Sequence, residues 1–175
     1  MIRRTPMLIL AFGNPAREDD GLGPALVQAF EREPLDGVDS MWDYQPMVEH
    51  AAEFLRYDRV IVADASRIDA EPFLFRSLRG RASETFSTHA IQPEAVVQLA
   101  RDTLGWKGDA YLLGIRGYSF EAFVEGLTAG ARYNLDQAVS SLRACIPSRD
   151  FSSLISHAPT DRTDRGGEPC RTAST

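Results

Sequence analysis

Four side chains carry the chemistry that this sequence offers: Asp19, Asp20, Asp64 and His89. Asp19 and Asp20 follow an apolar run and a Gly13-Asn14-Pro15 turn, Asp64 closes the run Val60-Ile61-Val62-Ala63, and His89 stands before a helix-like segment. Two carboxylates and one imidazole make a mixed oxygen and nitrogen donor set, which suits a borderline divalent transition ion better than Mg²⁺ or Ca²⁺. Three protein ligands leave positions open for water or a substrate atom, the arrangement of metal-assisted hydrolysis. Without an ion, clustered carboxylates repel and one of them tends to hold a proton. Each residue also has an ordinary reading. Asp19 or Asp20 suits the N-cap of a helix starting near Gly21, Asp64 suits a turn, and a lone histidine suits a loop. The functional reading rests on the combination.

These side chains converge only if the surrounding elements bring them to one edge. Met7 to Phe12 reads as a buried strand, and Leu22, Ala25, Leu26, Ala29 and Phe30 as one face of a helix. Val38 to Tyr44 is a second strand, and Val48, Ala51, Ala52 and Leu55 mark a second helix by the same spacing. Val60-Ile61-Val62 runs without alternation, as in a central strand covered on both faces. Phe73, Phe75 and Ser77 alternate with Leu74, Arg76 and Leu78, which predicts an antiparallel edge strand. Pro93 and Gly105 frame a helix, residues 110–118 give a last strand, and Leu135, Ala138, Val139, Leu142 and Ile146 line a closing helix. The alternation predicts an α/β fold: a three-layer α/β/α sandwich whose largely parallel sheet of about five strands is flanked by helices. In such sheets ligands collect at the carboxyl ends of the strands. One domain is expected over residues 1–147. Residues 148–175, rich in Ser, Thr, Arg, Asp, Gly and Pro, are expected to form a disordered tail.

Composition removes several classes. The 175-residue chain carries a net charge of −6, and Lys107 is its only lysine, a poor match for nucleic acid. No apolar stretch reaches the length of a membrane span, and the short apolar run near the N-terminus does not read as a secretory signal. Cys145 and Cys170 have no metal-ligand spacing, so a cytoplasmic protein is expected. "GNPAREDDGLG" lacks a dinucleotide glycine pattern, and its acids would repel a pyrophosphate. No G-x-S-x-G elbow exists, and Ser119 reads as a loop serine. A phosphoacceptor receiver needs a lysine at the end of the last strand, where Ile115-Arg116-Gly117 stands instead.

The motifs resemble those of the maturation endopeptidases of [NiFe] hydrogenases, over about Met7 to Ile146. The first is a strand followed by Gly13-Asn14, four variable residues, Asp19-Asp20, Gly21 and the small Gly23. The second is the strand-end Asp64-Ala65, the third the Thr88-His89 step before a helix, and the fourth the segment from Gly114-Ile115 through Glu125-Gly126-Leu127 to the final helix. The sequence departs from the family where Asp20 replaces a frequent Glu and where Pro is missing after Gly117. The resemblance implies an aspartic-type or metal-assisted endopeptidase that removes a C-terminal extension from a hydrogenase large-subunit precursor after nickel insertion. Asp20, Asp64 and His89 would be the catalytic and nickel-contacting residues, with nickel carried by the substrate. Gly13, Asn14, Asp19 and Gly21 would shape the supporting loop. A monomer working on the precursor is expected, with no membrane or nucleic-acid partner. A non-cleaving binding module of the same fold is the alternative. Peptidyl-tRNA hydrolases share the "GNP" turn, but they place basic and His-Asn residues where Asp-Asp-Gly stands here.

Overall fold

The computed structural model describes residues 6–78 and 91–155. In chain order it contains β1 (Met7–Phe12), α1 (Leu22–Arg32), β2 (Val38–Asp43), α2 (His50–Glu53), β3 (Arg59–Ser66), β4 (Phe73–Ser77), α3 (Pro93–Asp102), β5 (Asp109–Arg116) and α4 (Ala129–Cys145). The strands form one sheet in the order β2-β1-β3-β5-β4. Its first four members run parallel, and β4 is antiparallel to β5 at the edge. The expected α/β sandwich, its parallel sheet and its antiparallel edge strand are all present.

Both faces of the sheet are covered, which is why the inner strands carry unbroken apolar runs. Ile9, Ala11, Ile61, Ala63, Leu113 and Ile115 pack with Leu22, Leu26 and Phe30 of α1 and Leu135, Ala138 and Leu142 of α4. Leu8, Leu10, Phe12, Val60, Val62 and Ala110 face the other way, onto Ala51, Phe54, Val96, Val97 and Ala100. The period of two along each strand divides the two sets. By the same alternation Asp64 shares the face of Val60 and Val62.

Two expectations need correction. The second helix was expected to bury Val48 and Leu55, yet these are 51% and 53% exposed. The chain makes one α-helical turn and then a 3₁₀ turn, Phe54–Arg56, so the tighter winding rotates Phe54 rather than Leu55 onto the sheet. The packed fold also runs past Pro147: Phe151 is 2% exposed and stacks near Phe75 and Tyr111, so residues 148–155 belong to the domain. The rest of the expected tail, residues 156–175, lies outside the described residues.

The strand order fixes where a ligand can sit. From β1 the chain crosses by α1 to β2 on one side, then returns by α2 to β3 on the other. The carboxyl ends of β1 and β3 therefore diverge into a crevice, the switch point of an open α/β sheet. Asp20 follows β1, and Asp64 lies near the end of β3.

Candidate active site

The loop after β1 is built around its first residue. Gly13 has φ +143°, and a Cβ there would stand 2.0 Å from the carbonyl oxygen of Asp20. Only glycine allows both the backbone angle and that approach. The Gly13 N–H donates to the carbonyl of Asp43, at 3.1 Å. Asn14 then closes the turn: its Oδ1 accepts the Ala16 N–H at 3.0 Å, and its own N–H donates to Asp20 Oδ2 at 3.1 Å. Glu18–Gly21 forms a 3₁₀ turn, and Gly21 lies against Pro15 without room to spare. Gly13, Asn14 and Gly21 shape this loop, and Asp20 is held from its own turn.

Neither acid caps α1, whose N-cap is Gly21 with no side-chain bond. Asp19 points away into a different contact and is fully buried. Its Oδ2 accepts the N–H groups of Tyr118 (2.8 Å) and Ser119 (3.1 Å) and the Thr128 hydroxyl (2.8 Å), while Oδ1 accepts the Thr128 N–H (2.7 Å). Burial alone would raise its pKa, but the donors from Tyr118, Thr128 and Ser119 outweigh it and hold the carboxyl below its ordinary range. Thr128 is itself the N-cap of α4, accepting the Ala131 N–H. Asp19 therefore ties the loop after β1 to the segment between β5 and α4. Backbone bonds extend the seam: Phe123 N–H to Ala16 O, Glu18 N–H to Val124 O, and Asp19 N–H to Ser119 O.

Asp64 behaves differently. Burial pushes its pKa up to about 7, against one stabilising N–H from Ala65 (2.7 Å), and the charge of Asp20 raises it further. The two carboxyl groups are therefore near enough for the charge of one to act on the other. Asp20 is fixed by a backbone donor, and Asp64, which feels its charge, is poised to carry a proton near neutral pH. His89 lies outside the described residues. Among the described residues, no three His, Cys, Asp or Glu side chains gather as a metal site.

Sequence reasoning passed over a second pair at the same edge. Asp43 ends β2, and its Oδ2 lies 3.4 Å from Nε2 of His50. His50 is 5% exposed, meets the ring of Phe12 edge-on, and accepts the Met47 N–H on Nδ1 at 2.9 Å. A related signal, an acid at the carboxyl end of an expected strand, was available for Asp43. Thr128 was also passed over, because its bonds to Asp19 span 109 residues.

The sequence matches no family model, and no curated protein is similar to it. Solved structures do match in fold. A [NiFe] hydrogenase maturation protease HycI from Thermococcus kodakarensis KOD1 superposes with a TM-score of 0.65 at 18% identity, covering 83% of this chain and 95% of that one. The hydrogenase maturating endopeptidase HybD from E. coli gives 0.62 at 22% identity, covering 82% and 93%. The endopeptidase HycI from Escherichia coli gives 0.68 at 16% identity, covering 90% and 99%. The chain has the α/β fold of the [NiFe] hydrogenase maturation proteases.

Proposed function

We propose that this protein is an endopeptidase that removes the C-terminal extension of a [NiFe] hydrogenase large-subunit precursor once nickel is in place. The observation that supports the reading is that Asp20, after β1, and Asp64, near the end of β3, flank the switch point of this fold closely enough for the charge of one to act on the other. Two carboxylates at one rim are donors suited to a divalent ion presented by the substrate, and His89 is the imidazole proposed to complete the set. Nickel is here part of the substrate and marks the precursor as ready.

The residues divide the work. Asp20, fixed by the Asn14 N–H, offers a preset oxygen. Asp64, whose pKa burial pushes up to about 7 in the free protein, has a carboxyl that in its ionised form can accept a proton from an attacking water. A bound cation would favour the ionised form of both groups. Holding the ion fixes the scissile peptide beside these carboxylates, which converts attack into a positioned, unimolecular event.

The experiment follows the mass of purified precursor, nickel-loaded and nickel-free, after incubation with this protein. Shortening of the loaded form alone supports the reading. Capture of the precursor with no shortening would identify a binding module instead, and cleavage that survives His89→Ala would remove the imidazole from the set.

A further inference from the structure

We propose that His50 is a positioning residue for Asp20, acting through Asp43 and Gly13; as a statement about the reaction it rests on the function proposed above. Three successive contacts connect the imidazole to the carboxylate. First, the ring is locked. The Met47 N–H donates to Nδ1 at 2.9 Å, which leaves the ring proton on Nε2, and Nε2 faces Asp43 Oδ2 at 3.4 Å. The edge-on contact with Phe12, centroid to centroid 5.2 Å, sets the ring plane. At 3.4 Å the approach to Asp43 is an electrostatic contact longer than an ideal hydrogen bond. It orients the acid, whose other oxygen accepts the Tyr44 N–H.

Second, Asp43 is the point from which the loop hangs. It lies opposite Phe12 in the β1–β2 register, and its carbonyl takes the Gly13 N–H. Third, Gly13 and Asn14 form the seat of Asp20. The glycine abuts the Asp20 carbonyl where no Cβ would fit, and the Asn14 N–H holds the carboxylate. A shift of Asp43 is therefore transmitted to both the backbone and the side chain of Asp20. An apolar side chain could fill the space beside Phe12 without burying two ring nitrogens, which is a cost unless they are used. Their use is to fix the end of β2.

Two isosteric variants separate positioning from turn closure. His50→Asn keeps an acceptor where Nδ1 stood but falls short of Asp43, whereas His50→Gln places an N–H where Nε2 stood and gives up the Met47 bond. Amide hydrogen exchange is read at Gly13 and Asn14 in the free protein, with Val62 of β3 as the internal reference. The Gly13 N–H is expected to exchange about tenfold faster in His50→Asn and close to wild type in His50→Gln. Cleavage of the nickel-loaded precursor should follow the same order, with a loss of roughly tenfold to a hundredfold, carried by kcat rather than KM. Asp43→Ala, at a partly exposed position, should reproduce the His50→Asn result and serves if that variant does not fold. Equal Gly13 protection in all variants, or rescue by Asn and not by Gln, overturns the proposal. A wild-type protein that leaves the precursor whole would remove the proposed function, and Gly13 exchange would still decide the role of His50.

Discussion

The carboxylate of Asp19 receives both the backbone N–H and the hydroxyl of Thr128, at 2.7 and 2.8 Å, across 109 residues of chain. One buried acid thereby fastens the loop carrying Asp20 to the start of α4. Asp19→Asn leaves one good acceptor for four donors and is expected to cost about 2–4 kcal/mol in urea unfolding. Because Asp19 titrates below its ordinary range when folded, its contribution is present above the unfolded carboxylate pKa and is lost as the pH falls through the lower folded value. The variant should therefore lose stability most at neutral pH and approach wild type in acid. An unchanged urea midpoint at neutral pH would contradict the clamp.

Asp64 should show the opposite slope. Its folded pKa is raised to about 7, so the folded state binds the proton more tightly than the unfolded chain. Wild-type stability should fall as the pH rises from the ordinary carboxylate range to about 7, with a cost of at most about 4 kcal/mol above that window. Asp64→Asn removes this dependence and should be more stable than wild type at pH 8, while the two converge near pH 4. Parallel stability curves for the two proteins would refute the burial of an ionisable Asp64.

Gly13→Ala tests the loop geometry. A Cβ would stand 2.0 Å from the Asp20 carbonyl at φ +143°, so the loop must move or the protein must absorb a cost of about 3 kcal/mol or more. Either outcome should free the Asn14 N–H from Asp20, visible as faster amide exchange at Asn14. Wild-type exchange with wild-type stability would show that the seat is looser than described.

Phe123 is 94% exposed and sits at φ +65°, a left-handed angle that costs a bulky residue roughly 1–2 kcal/mol. Phe123→Gly should therefore raise the melting temperature, by a gain of about 0.5–1 kcal/mol. A fall instead would mean that the side chain has a stabilising contact. Strain retained on an exposed aromatic beside the site loop is characteristic of functional segments.

Much of this structure was legible in the letters, for physical reasons. Central strands buried on both faces have unbroken apolar runs, so Val60-Ile61-Val62 announced β3, and strict alternation announced β4. The short second helix misled because a 3₁₀ turn changes the residue facing the core from Leu55 to Phe54. Phe151 was hidden by the polar residues around it, since one large ring can anchor a segment whose composition reads as tail. At the site, spacing and residue type pointed to Asp20 and Asp64 because both are acids placed just beyond apolar strands. The destination of Asp19 was not legible: two adjacent acids look alike in sequence, and only the long-range donors of Tyr118, Ser119 and Thr128 distinguish them.

The most direct measurement is the mass of the large-subunit precursor after incubation with this protein, taken with nickel present and with nickel absent, alongside Asp20→Asn and Asp64→Asn. The account predicts loss of the C-terminal extension from the nickel-loaded precursor alone, and loss of that activity in both variants while they remain folded. Equal shortening of the two precursor forms, or full activity in either variant, would contradict it.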